Sequence, residues 1–231
     1  MLKSTDGGRT WDGVESARVD AIPYQIAVSS ADPSYVYAVE QDPFGYGVLV
    51  SRDAGQTWTR YAVDGAVTAV VPDPRNARAL WLGGPDGLFR STDGGKTSLR
   101  LSARSISAMA VDPSRPNRLV VGGSSMAVSS DGGHSWKAGR TPPGRMRVGA
   151  VAFVGHGGIC AAAPAYDDQG LLVGGRGVLC SSDGGHTWRA ESGDLPFRSI
   201  TSLATSPDGR WLFAGSFGQG VYRTRVRSVL P

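Results

Sequence analysis

The chain has 231 residues, which is enough to form a substantial hydrophobic core without a disulfide or a metal to hold it together. Its 33 Gly and 14 Pro are high for a helical protein and typical of short strands joined by tight turns. The net charge of +4 is mild and is carried almost wholly by Arg, with no basic run, which argues against a nucleic-acid partner. The sequence also contains no apolar stretch long enough to span a bilayer.

The N-terminal sequence MLKSTDGGRTW has no apolar signal core and leads directly into a repeat. The expectation is therefore a cytoplasmic protein, or an extracytoplasmic one if an export segment precedes the given chain.

One octet recurs five times, at intervals of about 40 to 50 residues, the spacing expected of a repeat architecture. In chain order its copies are STDGGRTW (4–11), SRDAGQTW (51–58), STDGGKTS (91–98), SSDGGHSW (129–136) and SSDGGHTW (181–188).

A second pattern separates the octets. Segments such as TAVVPDPRNARALWLGG (68–84) show an apolar strand A, a polar turn, an apolar strand B and a glycine-rich turn, after which strand C leads to the octet and strand D. Short apolar runs bounded by turn residues predict strands, and no window has helical spacing. Four antiparallel strands per unit of about 40 residues predict the blade of a β-propeller. The predicted A strands are 22–29, 66–72, 105–111, 147–154 and 199–205.

The chemistry of the octet predicts a structural turn. Its aspartate can accept backbone hydrogen bonds in an Asx-turn, its glycines permit positive φ, and its tryptophan can bury its ring between strands or blades. The octet residues expected to be structural are Asp6, Asp53, Asp93, Asp131, Asp183, Trp11, Trp58, Trp136 and Trp188.

The pattern SxDxGxxW resembles the Asp-box, or BNR repeat, found in sialidases, xyloglucanases, sortilin-type receptors and a photosystem II assembly/stability factor. The resemblance covers nearly the whole chain and implies a single all-β propeller domain over residues 1–231. Five A strands favour five four-stranded antiparallel blades, with strand 11–18 closing the last blade beside 220–227. The alternative is part of a six- or seven-bladed ring.

The families that share this repeat place their binding sites on the face formed by the B–C loops and D–A connections, opposite the octets. The candidate ligand-binding residues on that face are Arg104, Arg147, Arg198, Asp42, Tyr46, Tyr166, Asp167 and Asp168. The three arginines precede or begin A strands, so they could converge on one anion, as the arginine triad of sialidases does. The alternatives are separate surface ion pairs for the arginines and a solvated loop for residues 163–177.

No catalytic residue is predicted. The Arg-Ile-Pro motif of sialidases is absent, and the three Glu residues lie in no recognisable motif for a glycosidase. The three His residues are scattered, so neither a metal site nor a cofactor is expected.

Two cysteines lie on strands B and C of one predicted blade. Alignment of Cys160 with Trp81 places Leu179 opposite Cys160 and points Cys180 to the other face, which favours two separate buried thiols over a disulfide.

These features predict a monomeric, non-catalytic interaction or assembly module that binds a protein or peptide. The alternative is a glycan-binding or glycoside-hydrolase-like protein of the sialidase or xyloglucanase type.

Overall fold

A computed structural model describes residues 2–14, 22–142, 146–155, 157–165, 175–192, 195–206 and 208–226. In this part of the chain every regular element is a β-strand, and no helix is long and apolar enough to cross a bilayer. The chain divides into two compact units, Met1–Ser105 and Ile106–Pro231. A single domain over residues 1–231 therefore remains a prediction.

The first unit contains a two-stranded sheet and two four-stranded antiparallel sheets, each four-stranded sheet with neighbouring strands in chain order. The small sheet pairs β1 (Leu2–Lys3) with β2 (Asp12–Gly13). The four-stranded sheets contain β3 (Ile22–Val28), β4 (Val36–Asp42), β5 (Gly45–Ser51) and β6 (Thr59–Ala62), then β7 (Ala69–Asp73), β8 (Asn76–Gly84), β9 (Gly87–Ser91) and β10 (Leu99–Ser102).

The second unit contains two more four-stranded antiparallel sheets and one sheet with three described strands. Its strands are β11 (Ala108–Val111), β12 (Leu119–Gly122), β13 (Met126–Ser129) and β14 (Lys137–Ala138); β15 (Ala150–Val154), β16 (Gly158–Ala163), β17 (Gly177–Ser181) and β18 (Arg189–Ala190); and β19 (Ile200–Thr205), β20 (Trp211–Ser216) and β21 (Val221–Arg225).

The predicted order of strands A to D is confirmed in each four-stranded sheet. The five predicted A strands correspond to β3, β7, β11, β15 and β19, and the four later octets each follow a C strand. The first octet joins β1 to β2, and Asp12 pairs with Lys3. Closure of the last blade by residues 11–18 remains a prediction, because residues 15–18 lie outside the described part of the chain.

Each unit has its own apolar core between neighbouring sheets. In the first unit Tyr37, Val48, Leu80 and Leu82 belong to one buried cluster. These residues lie on the inner strands β4, β5 and β8, where both faces of the sheet are covered. Consequently the central parts of these strands, residues 36–39, 48–50 and 79–82, are continuously apolar instead of alternating in polarity.

The predicted pair of separate thiols is wrong: Cys160 and Cys180 form a disulfide between β16 and β17. They are directly opposite each other, with Cα atoms 4.1 Å apart, and both are buried. The prediction was wrong because the alignment placed Leu179, and not Cys180, opposite Cys160. Trp81, which aligns with Cys160, pairs with Arg90, and Arg90 aligns with Cys180 when the strands are counted back from their octets.

Candidate functional site

The octets form closed turns built from bonds within a few residues. In residues 51–58, Ser51 Oγ donates to Asp53 Oδ1 at 2.7 Å and accepts from the Gly55 N–H at 2.7 Å. Asp53 Oδ1 also accepts from the N–H groups of Gln56 and Thr57, at 3.0 and 2.9 Å. The bond from the N–H four residues after the aspartate recurs in all five octets. The carboxylate therefore organises its own turn.

These bonds lower the pKa of every octet aspartate. At Asp53 the hydroxyl of Thr57 contributes most, followed by the backbone N–H of the same residue. At Asp93 burial acts to raise the pKa, but the hydrogen bonds from Thr97 and Ser91 outweigh it and lower the pKa to about 2. The octet carboxylates are consequently ionised near neutral pH, with their oxygens already engaged.

The octet tryptophans close their own turns, and their burial differs. The indole N–H of Trp188 donates to the Gly185 carbonyl at 3.1 Å, and the bond recurs in the other three octets that contain tryptophan. Trp188 is 4% exposed and packs against Gly139, where a Cβ would lie 2.5 Å from the indole nitrogen. Trp11 is 59% exposed. Trp188 is therefore buried between two sheets, whereas Trp11 is mostly exposed.

The B–C turn of the sheet β3–β6 lies at the opposite end of β5 from the octet, and a buried ion cluster holds it. Arg60 Nε lies 3.0 Å from Glu40 Oε1, and Arg60 Nη2 lies 3.2 Å from Asp42 Oδ1. The same Nη2 donates to the Gly45 carbonyl at 3.1 Å. Asp42 Oδ1 also accepts from the Phe44 N–H at 2.8 Å. Asp42, predicted as a ligand-binding residue, is therefore bonded into the scaffold of this turn.

Aromatic side chains surround this braced turn. Tyr24 and Tyr46 stack with ring centroids 6.3 Å apart, and Tyr24 Oη donates to Gln41 Oε1 at 2.7 Å. Phe44, at the tip, is 84% exposed. Burial, followed by the neighbouring Tyr24, raises the pKa of Tyr46. Tyr46, a predicted ligand-binding residue, thus stacks with Tyr24, which the sequence analysis missed because it lies inside the predicted A strand 22–29.

The corresponding end of the sheet β19–β21 also exposes aromatic side chains. Phe197 and Phe217 are 43% and 73% exposed, and Arg198, between Phe197 and β19, is exposed as well. The Phe217 N–H donates to the Ser199 carbonyl at 3.0 Å, while the Gly177 N–H donates to the Arg198 carbonyl at 2.9 Å. The first bond holds the connection before β19 against the β20–β21 turn, and the second holds it against the start of β17.

The predicted arginine trio has different surroundings at each position. Arg104, in the first unit, is partly buried, and its N–H donates to Ser102 Oγ at 3.2 Å. Arg147, in the second unit, is partly buried between Met146 and Val148, whereas Arg198 is exposed. Convergence of the three remains a prediction.

The remaining predicted ligand-binding residues, Tyr166, Asp167 and Asp168, lie outside the described residues. Within the described part of the chain, no group of three or more His, Cys, Asp or Glu side chains could hold a metal ion.

The architecture defines the class of protein: an all-β chain of repeated four-stranded antiparallel sheets, the β-propeller class. No protein-family model matches the chain, and no curated protein matches it. Similarity to solved structures is extensive, and the sequence identity is low. It therefore shows the fold alone, and the number of blades remains a prediction.

Three solved structures illustrate this similarity. The GH74 xyloglucanase from Xanthomonas campestris is 21% identical with a TM-score of 0.72, over 88% of this chain and 37% of that chain. YCF48 from Cyanidioschyzon merolae is 19% identical with a TM-score of 0.58, over 89% of this chain and 72% of that chain. YCF48 bound to D1 peptide is 15% identical with a TM-score of 0.64, over 97% of this chain and 71% of that chain. The chain spans about a third of the length of the GH74 enzymes that it resembles.

Proposed function

We propose that this protein is a non-catalytic binding module that captures a protein or peptide segment through the loops opposite its octets. The observation that carries the proposal is the exposure of aromatic side chains at those loops, led by Phe44 at 84% and Phe217 at 73%. Aromatic residues and Arg are enriched in protein interfaces and among the residues that contribute most to binding. The octets, whose aspartates are bonded into their own turns, serve as structural turns.

The rigidity of the first of these loops supports the proposal. The bonds from Arg60 to Glu40, Asp42 and Gly45 hold the turn that presents Phe44. A loop whose backbone is already held in place loses less conformational entropy when a partner binds it. The similarity to YCF48 bound to D1 peptide is consistent with a peptide ligand.

The alternative is a glycan-binding or glycoside-hydrolase-like function, which the similarity to GH74 xyloglucanases supports. A glycosidase needs two carboxyl groups that flank the scissile bond, one of which protonates the leaving group. Asp42 fits this role poorly, because its side chain is 1% exposed and bonded to Arg60. In this alternative Asp167 and Asp168 are the candidate catalytic carboxylates.

Selection from a random dodecapeptide phage library on the immobilised protein tests the proposal. Affinities of the enriched peptides, synthesised with a fluorophore, are then measured by fluorescence polarisation. Since truncation of an interface hot spot costs about 2 kcal/mol or more, Phe44→Ala or Phe217→Ala should weaken binding by at least about tenfold. Leu99→Ala is the matched control, because Leu99 is 68% exposed but directly follows the third octet.

Two results would contradict the proposal. The first is that no peptide is enriched, or that enriched peptides bind the Phe44→Ala, Phe217→Ala and Leu99→Ala variants equally well. The second is release of reducing sugar from xyloglucan, or of the aglycone from chromogenic sialosides, that disappears in an Asp167→Asn/Asp168→Asn variant. That loss of turnover would establish the enzymatic alternative.

A further inference from the structure

A second candidate site lies in the unit Ile106–Pro231, among the octets and not at the aromatic loops. It is a pocket of about 260 Å³ between the β11–β12 turn, strands β13 and β14, and the octet 181–188. Its lining residues are Arg115, Arg118, Val128, Ser130, Lys137, Gly184, Gly185 and His186. Among these described lining residues there are three permanent cations and no carboxylate, so the pocket favours an anion.

Arg118 lines this pocket and is held in place, with its side chain 11% exposed. Its Nη1 donates to Asp112 Oδ2 at 3.2 Å and to the Gly157 carbonyl at 3.0 Å. The guanidinium also lies over the Phe153 ring, 5.0 Å from the centroid. Arg118 Nη2 also lies beside Gly184, where an added Cβ would be in ordinary van der Waals contact at 3.5 Å. The arginine is therefore positioned before any ligand arrives.

Asp112, behind the pocket, balances part of the positive charge. Its Oδ2 accepts from Arg115 Nε at 3.0 Å and also lies 3.0 Å from Arg115 Nη2. Burial acts to raise the pKa of Asp112, but hydrogen bonds from Ser114 and Arg118 and the charge of Arg115 outweigh it, and the net shift is downward. The carboxylate is thus ionised and cancels one of the three cationic charges of Arg115, Arg118 and Lys137.

The two arginines keep N–H groups for a ligand. Asp112 engages Nε and Nη2 of Arg115 and Nη1 of Arg118. Arg115 Nη1 and Arg118 Nη2 carry N–H groups that Asp112 does not use, since a guanidinium has five such donors. Lys137, exposed on β14, adds three more donors.

We propose that this pocket binds a dianionic phosphoryl group, such as that of a phosphate monoester. Arg115, Arg118, Lys137 and Asp112 together carry a net charge of about +2, which complements the charge of −1.5 to −2 that such a group carries at pH 7. The planar guanidinium of arginine can donate two parallel hydrogen bonds to two oxygens of one phosphate group. Gly184 and Gly185, at φ of +79° and +97°, form one wall without side chains, so a ligand can approach their backbone closely. Val128 gives the pocket an apolar surface beside the cations.

The site is independent of the proposed peptide-binding function. Phe44 and the other exposed aromatic side chains are absent from the pocket lining. A Phe44→Ala variant should therefore bind the phosphoryl ligand as the unmodified protein does, and failure of either proposal leaves the other standing.

Titration calorimetry at pH 7.5 and constant ionic strength tests the site with three probes: glucose 6-phosphate, inorganic phosphate and glucose 6-sulfate. The sulfate ester is a monoanion of nearly the same shape, so it should bind about tenfold more weakly than the phosphate ester. Equal affinity for both phosphate probes assigns the site to the phosphoryl group alone. Tighter binding of the ester adds a contact to its organic part.

Variants locate the binding. Lys137→Gln should weaken glucose 6-phosphate binding by about tenfold, and so should Arg118→Lys, which keeps the charge but loses the fork. The matched control is Arg189→Gln, because Arg189 is an exposed cation on β18 outside the pocket lining. Lys137 projects from the surface, so its variant tests the site even if Arg118→Lys disturbs folding.

Three outcomes would overturn the proposal. Equal losses in Lys137→Gln and Arg189→Gln would mean that the anion responds to diffuse surface charge. Equal affinity for glucose 6-sulfate would remove the preference for a dianion. Absence of amide shifts at Gly184 and Gly185 in ¹⁵N spectra of the protein saturated with glucose 6-phosphate would place the ligand elsewhere.

Discussion

Replacement of Arg60, which holds the turn between β4 and β5 in place, should destabilise the protein substantially. In Arg60→Met, Glu40 and Asp42 stay in the sheet with side chains 3% and 1% exposed, and both lose the guanidinium. Loss of one partner from a buried ion pair costs about 3–5 kcal/mol, because the remaining charge is left without compensation. Arg60 retains 15% exposure, which lets water screen part of this effect. We therefore expect a loss of about 3 kcal/mol.

Equilibrium urea unfolding at pH 7, followed by circular dichroism, measures this loss. The triple variant Arg60→Met/Glu40→Gln/Asp42→Asn should recover most of the stability, because the uncompensated charges are gone. Arg100→Met is the matched control on the exposed D strand of the neighbouring sheet, with an expected change within about 0.5 kcal/mol. If Arg60→Met lowers the free energy of unfolding by less than about 1 kcal/mol, or if the triple variant is no more stable than Arg60→Met, Arg60 does not stabilise the turn in the way described.

Three further predictions concern stability. The disulfide closes a sequence separation of 20 residues, so Cys160→Ala/Cys180→Ala should lower the free energy of unfolding by about 3 kcal/mol. Dithiothreitol should shift the urea midpoint of the unmodified protein only, and two free thiols in the non-reduced, denatured protein would contradict the bond. Gly185→Ala should cost about 1–3 kcal/mol more than Gly132→Ala. Both have positive φ, but only at Gly185 would the Cβ meet a close neighbour, Val128, at 2.4 Å. At acid pH, the octet aspartates should lose their stabilising contribution. For Asp93 the folded-state pKa of about 2 lies below the ordinary 3.8, so its contribution is full above about pH 5 and disappears as the pH falls through 2. A plot of urea midpoint against pH should therefore be flatter for Asp93→Asn, and an identical slope would count against the turn bonds.

The octets and the strand order are readable from the sequence because the interactions that create them are local. The bonds of Asp53 reach only from Ser51 to Thr57, a span of seven residues. Any chain segment with these residues in this order can form the same turn. The apolar runs between octets then predict the strands that the turns connect, and all five predicted A strands are present.

The disulfide shows where sequence reasoning failed. Both cysteines were placed on the correct strands, but the partner of Cys160 depends on strand register, and a shift of one residue exchanges Leu179 for Cys180. The loop between strands B and C differs in length from blade to blade, so it does not give a constant starting point for numbering the residues of strand C. The octet provides the consistent reference point, because its first residue ends the C strand in each of the four four-stranded sheets.

The sequence was sufficient to identify the repeat, the β-class and the structural chemistry of the octets, since these depend on contacts between residues a few positions apart. The tertiary structure was needed to place Arg60 between two buried carboxylates, to pair Cys160 with Cys180 and to bring Arg118, Lys137 and Gly184 around one pocket. These groups are separated by many residues along the chain, and their proximity depends on sheet register and packing, which local residue patterns do not encode.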